Sequence, residues 1–285
     1  MASHRSARGT QQRQVGSGQV TLSWDGSRAT VFLGSVESSC VDVEHPEHLE
    51  FEYMQHIDVL AQVFYGSDRP VRALHVGGAA CALPWAWARR RPGSRQTAIE
   101  VDAQLVECVR DWFDLPRAPE LKIRVEDGRR VLDTTREGSW DVIVRDAFDH
   151  GIVPSHLATV EAAKAAARAL RPGGFYALNA AHGGGADARR EVEALTEAFE
   201  VVFAIADPKV GRSGRRGNVV LCAFSPVRDE AGQFVGLSPD ELCDEVDRRL
   251  RRLPLPARIM RGQEMSKWRA GAKSLRDAQV GWGSQ

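Results

Sequence analysis

The chain has 285 residues, 43% of them hydrophobic, enough for one substantial core and a small second module. Lys plus Arg and Asp plus Glu both number 38, so no global field draws nucleic acid or a membrane surface, and a charged partner has to be met by a local patch. The five cysteines (Cys40, Cys81, Cys108, Cys222, Cys243) never form a Cys-x-x-Cys pair, which argues against a disulfide framework and structural zinc and for reduced, buried thiols.

No run approaches the roughly 18 apolar residues of a membrane helix, and the basic N-terminus leads into Thr10-Gln11-Gln12-Arg13-Gln14 rather than an apolar signal core. A cytoplasmic protein with no membrane or nucleic-acid partner is expected. Residues 1–17 are rich in Ser, Arg, Gln and Gly, a composition that predicts a disordered tail. Residues 18–47 carry three short β-type runs, Gln19-Val20-Thr21-Leu22, Ala29-Thr30-Val31-Phe32-Leu33 and Cys40-Val41-Asp42-Val43, separated by turns, and predict a small antiparallel β segment.

Residues 48–228 predict an α/β domain, a Rossmann-like, mostly parallel, seven-stranded sheet ending in an antiparallel hairpin. A helix over residues 49–63 leads into Val71-Arg72-Ala73-Leu74-His75-Val76, an apolar strand that ends in Gly77-Gly78 and is followed by a helix with Pro84 in its first turn. A second strand ends in Glu100, and Asp102 N-caps the helix of Leu105, Val106, Val109, Trp112 and Phe113. Leu121-Lys122-Ile123-Arg124-Val125 is a strand ending at Glu126-Asp127-Gly128, and Trp140-Asp141-Val142-Ile143-Val144 one ending at Arg145-Asp146-Ala147-Phe148-Asp149. An Ala-rich helix over residues 156–170 precedes the strand Phe175-Tyr176-Ala177-Leu178-Asn179, and a further helix precedes strands at 201–206 and 219–224. These last two have no room for a crossover helix between them and should be antiparallel. Residues 229–285 predict a helix from Pro239 to Arg252 and a polar tail anchored by Trp268 and Trp282.

Ligands of parallel sheets bind at the carboxyl ends of the strands, where Gly77, Gly78, Glu100, Asp127, Gly128, Asp146 and Asp149 all fall. Glycines admit close backbone approach, and an acid about twenty residues after the first strand is placed to hold a ribose hydroxyl pair. Asp127 suits the exocyclic amine of an adenine, which can only donate; a plain Asp-Gly turn is the competing reading. For Asp146 and Asp149 the competing reading is a solvated loop with a helix N-cap. His75, among apolar neighbours, reads as a core histidine, and His150 and His182 are minor candidates that could face the cleft. Arg89-Arg90-Arg91 and Arg248, Arg249, Arg251 and Arg252 read as solvated helix faces, and Arg212, Arg215 and Arg216 as a loop that could meet an anion.

From Thr30 to Pro226 this order of elements and acids resembles the class I S-adenosylmethionine-binding fold and, more narrowly, the spermidine synthase-like polyamine aminopropyltransferases. The resemblance rests on Leu49-Glu50-Phe51-Glu52-Tyr53, His75-Val76-Gly77-Gly78, Ile99-Glu100-Val101-Asp102, Glu126-Asp127-Gly128 and Trp140 to Asp149, and on the N-terminal β segment. It implies transfer of an aminopropyl or other alkyl group from decarboxylated S-adenosylmethionine to an amine, without metal, in a homodimer. By position, Glu100 would hold the ribose, Asp127 the adenine and Asp146 the proton of the attacking amine, with Tyr53 and Asp149 lining the amine pocket. The chain departs from the family pattern at Ala80, where an acid grips the aminopropyl ammonium, at Ala147 and Phe148, at Ser38, and at Met54 and Gln55. Loss of the acid at Ala80 leaves a methyltransferase using intact S-adenosylmethionine as an alternative, and a non-catalytic nucleoside-binding relative as another.

Overall fold

The structure, a computed structural model, describes residues 9–78, 80–206, 210 and 216–283. It opens with a four-stranded antiparallel sheet in chain order, β1 (Gln11–Val15), β2 (Gly18–Asp25), β3 (Arg28–Leu33) and β4 (Val36–Asp42). The segment Gln11–Val15 is thus a strand where composition predicts disorder. Its partner supplies what its own pattern lacks: it pairs with β2 over its whole length and buries Val15, and Arg13 bonds Asp111 at 2.8 Å and lies over the Trp112 ring. Residues 1–8 lie outside the described residues.

Next come α1 (Glu52–Tyr65), β5 (Arg72–Val76), α2 (Ala82–Arg90), β6 (Arg95–Glu100), α3 (Ala103–Trp112), β7 (Leu121–Val125), α4 (Gly128–Thr134), β8 (Trp140–Arg145), α5 (Val160–Ala169) and β9 (Leu170–His182). They are followed by α6 (Ala188–Thr196), β10 (Val201–Ala206), β11 (Gly217–Phe224), α7 (Pro239–Leu250), β12 (Arg258–Met260), α8 (Gly262–Arg269) and α9 (Asp277–Val280). The large sheet runs β12-β10-β11-β9-β8-β5-β6-β7, parallel from β9 to β7 and antiparallel from β9 to β12. It is the expected doubly wound sheet with its antiparallel hairpin, extended by an eighth strand. At three residues β12 is too short to alternate visibly, and it docks only because β10 offers an open edge. The predicted tail beyond residue 252 therefore holds one strand and two short helices.

Period-2 alternation divides the core between the faces of the sheet. Leu74 and Val76 pack with Val131, Ile143, Leu178 and the α5 and α6 alanines, whereas Ala73, Val142, Val144 and Ala177 share a cluster with α1, α2, α3 and the N-terminal sheet. Val20, Leu22 and Val31 belong to that second cluster, so the small sheet is part of the main core. Asp102 joins the two, capping α3 through the N–H groups of Gln104 and Leu105 while accepting from Ser17 N and Oγ at 2.7 and 2.8 Å. All five cysteines are free and buried. Among the described residues no helix is long and apolar enough to cross a membrane.

One arginine run departs from its expected solvated face. Arg91 is buried and donates to the Arg69 carbonyl at 3.0 Å, and Arg90 pairs with the buried Asp58; only Arg89 of the three is exposed. The α2 C-terminus turns Arg90 inward because Asp58 on α1 supplies a partner, and Arg91 finds the Arg69 carbonyl. On α7 the expected surface face holds, with Arg248 and Arg249 paired to Glu245 and Arg251 to Asp247.

Candidate active site

The strand ends are brought together by ladder bonds that continue past the strands. Gly77 N–H donates to the Ile99 carbonyl at 3.0 Å, Asp146 N–H to the Val76 carbonyl at 2.8 Å and Glu126 N–H to the Glu100 carbonyl at 3.0 Å. The switch in strand order falls between β5 and β8, where a doubly wound sheet opens its crevice. Gly77 has φ +95°, and a Cβ there would overlap the Asp146 carbonyl, so only glycine allows the two loops to touch. A Cβ on Gly128 would overlap the Val76 side chain, whereas one on Gly78 would make ordinary 3.6 Å contacts with the Cβ atoms of Ala98 and Glu100.

Glu100 is oriented by the Gly78 N–H at 3.3 Å and the Asp102 N–H at 3.1 Å, which clip it between the glycine loop and α3. Val101 follows it with 71% of its surface exposed, and Val125 at the end of β7 is exposed as well. Asp127 N-caps α4, a helix absent from the sequence reading, through Oδ1, which accepts from Arg129 N and Arg130 N at 2.9 and 3.0 Å. Oδ2 meets His156 Nε2 at 3.2 Å, and the His156 ring lies parallel to Trp282 at 4.6 Å. Asp127 is therefore both a cap and a strand-end acid, which the turn reading left out.

The densest polar cluster gathers around Asp146. The register that sets Arg145 beside Leu178 puts Asp146 beside Asn179, on the face that also carries Val144 and Ala177. That face looks at α1, and Tyr53 in its first turn closes the group. The Tyr53 hydroxyl donates to Asp146 Oδ2 at 2.7 Å and Asn179 Nδ2 donates to Oδ1 at 2.9 Å. Burial pushes the Asp146 carboxyl up from its ordinary value, against the opposing pull of Tyr53, Asn179 and Arg145. Burial first, and the Asp146 charge second, hold the Tyr53 phenol well above its ordinary range, so it stays a neutral donor. The result is a partly desolvated carboxylate held from both sides.

Other residues fall elsewhere. Asp149 sits in the turn that bridges to Ile152, 73% exposed and 3.6 Å from His150. His75 is buried against Gln96 at 2.8 Å and beside Trp87, a core histidine as its neighbours suggested. His182 packs on Trp268 near Asp187, and His150 is exposed. Gln55 turns to the Leu49 carbonyl at 2.7 Å, and Met54 and Ala80 are buried. Arg216 lies against Gly184; Arg212 and Arg215 lie outside the described residues. Asn179, His156 and the Trp282 stack went unread in the sequence. An asparagine at the end of a strand whose neighbour ends in an acid is the one local signal that could have found Asn179.

A probable spermidine synthase from Corynebacterium glutamicum is 33% identical, superposes with a TM-score of 0.81, and is covered over 96% of its chain by 94% of this one. The chain belongs to the spermidine synthase family. The polyamine aminopropyltransferase of Neisseria meningitidis serogroup A is 27% identical over 214 residues, 72% of this chain and 76% of that protein. Human methyltransferase-like protein 13 shares the fold alone, at 18% identity and a TM-score of 0.52 over 72% of this chain and 94% of its own. No family model matches the chain. Within the spermidine synthase family the N-terminal sheet and the strand-end acids are held on one scaffold here, with Ala80 buried at the position where the sequence pattern expects an acid.

Proposed function

We propose that the chain is an aminopropyl transferase that moves the aminopropyl group of decarboxylated S-adenosylmethionine to an amine, with Asp146 as the base. The Tyr53–Asp146–Asn179 cluster carries this reading. A protonated amine has no lone pair for attack, so the site has to bind the cation and then take its proton; a carboxylate with a raised pKa beside neutral donors does both. Once Asp146 has taken the proton of the ammonium, the freed amine nitrogen bonds to carbon, the carbon–sulfur bond breaks, the sulfonium leaves as neutral methylthioadenosine, and its positive charge passes to the product nitrogen as an ammonium. Charge is lost at sulfur in this step, which a low-dielectric crevice favours.

Glu100 accepts from the ribose hydroxyls and Asp127 Oδ2 from the adenine amine, with exposed Val101 against the base and Gly77, Gly78 and Gly128 keeping the backbone low. Asp149, out on its turn, would meet the far end of a longer amine in a homodimeric enzyme. Buried Ala80 supports a second reading, in which the site takes intact S-adenosylmethionine and transfers methyl, because no acid there selects for the aminopropyl ammonium. Mass spectrometry of products from both donors with a panel of amines separates the two. Methylthioadenosine plus an amine heavier by one aminopropyl unit is expected; S-adenosylhomocysteine would move the assignment to methyl transfer. Independently, Glu100→Ala should weaken methylthioadenosine binding by roughly 1.5–3 kcal/mol in calorimetry; unchanged affinity would remove Glu100 from the site.

A further inference from the structure

The C-terminal segment lies against α4, which Asp127 caps, and against the start of α5. Leu275 bridges Thr159 in parallel, and Asp277 accepts from Arg129 Nη1 at 2.7 Å, from Arg129 Nη2 at 2.5 Å and from Thr159 Oγ1 at 2.7 Å. Arg129, 3% exposed, also donates to the His156 carbonyl at 2.9 Å, and its guanidinium lies over the Trp282 ring at 5.5 Å. His156 is thus fixed at its backbone by Arg129 and at its ring by the Trp282 stack, with Nε2 left pointing at Asp127 Oδ2. Since Oδ1 is taken by the α4 cap, the direction of Oδ2 depends on this second contact.

We propose that His156, clamped by Trp282, is a positioning residue for Asp127, and that the C-terminal segment thereby sets the preference of the site for an adenine over a hypoxanthine base. The proposal rests on the nucleoside reading of Asp127. A carboxylate oxygen without a proton only accepts, so His156 meets it with Nε2–H donating and uses one lone-pair direction of Oδ2, leaving the other for the exocyclic amine. Hypoxanthine presents a carbonyl there, and two acceptors repel. Without the clamp, Asp127 swings about its cap bond and the distinction between the two bases shrinks, while ribose recognition by Glu100 is untouched.

The experiment measures the affinities of methylthioadenosine and methylthioinosine by calorimetry on the full chain and on Trp282→Ala, Trp282→Phe and His156→Phe, with melting temperature followed alongside. The wild-type protein should prefer the adenine nucleoside. Trp282→Ala and His156→Phe should each lower that preference by about five- to tenfold, the net value of one ordinary hydrogen bond, and Trp282→Phe, which can still stack, should retain it. His156→Phe keeps the stack and tests the contact even if Trp282→Ala does not fold. An unchanged ratio in His156→Phe, or equal loss of both affinities in step with melting temperature, overturns the proposal and leaves the nucleoside reading intact. Wild-type protein that binds neither nucleoside overturns both.

Discussion

At Asp146 the same desolvation that suits the proposed base is a liability. Its carboxyl is raised by burial, so the folded protein favours the protonated form more than the unfolded chain does. Stability from this group is complete below the ordinary aspartate value and is lost as pH rises through the raised one. Asp146→Asn removes that loss. Its oxygen can take the Tyr53 hydroxyl, and a flipped Asn179 can offer its otherwise unpartnered Oδ1 to the new amide. The variant should melt at or above wild type, with a gap that widens from pH 4 towards neutral, yet turnover should fall by roughly 10²–10⁴-fold. Melting scans across pH together with product assays check both halves; full turnover in Asp146→Asn would mean that another group takes the proton. The acids at the strand ends were legible in sequence because topology alone puts strand ends at the crevice. Asn179 was not, since its role depends on the register between β8 and β9, and neither was His156, whose partner Trp282 lies far off in sequence.

At the scale of elements, the loop between β5 and α2 is the joint on which the crevice hangs. Gly77 and Gly78 look alike in sequence and differ in what surrounds them. Gly77→Ala puts a methyl into the Asp146 carbonyl at φ +95°, and should cost about 2 kcal/mol or more and displace Asp146. Gly78→Ala meets only ordinary contacts and should stay within ~0.5 kcal/mol of wild type in urea denaturation, while losing nucleoside affinity if the ligand lies on that backbone. Equal destabilisation by the two would contradict the close approach at Gly77. The βα alternation around this loop was readable because the central strands β5 and β8 are near-continuous buried apolar runs and the edge strand β7 alternates. Among the elements that escaped, three did so for the opposite reason: β1 is polar along four of five residues, α4 begins on a glycine with two arginines, and β12 is three residues long. Each exists through a partner, β2, the Asp127 cap or β10, rather than through its own pattern.

Across the whole molecule, one core holds the N-terminal sheet, α1, α2 and the inner face of the large sheet, and it contains two neutral histidines. Burial lowers His56 and His75 to about 4, the latter despite the contact with Gln96 that pulls the other way. Nearby Asp58 is already engaged by Trp87 Nε1 at 2.8 Å and by Arg90. Because the folded values are depressed, the stabilising contribution of each histidine is present above the unfolded value of 6.5 and is lost as pH falls towards 4. By pH 5 each should have given up roughly 2 kcal/mol, a loss felt by both sheets because they share the core. Asp146 and Glu191, raised by burial, act in the opposite direction and offset part of it. Urea denaturation at pH 7, 6 and 5 should therefore show a falling midpoint with a single transition for both sheets, and the ring protons of His56 and His75 should not titrate until pH is near 4. Constant stability between pH 7 and 5, together with either ring titrating near 6.5, would mean that water reaches these histidines and that the core is open where it is packed here.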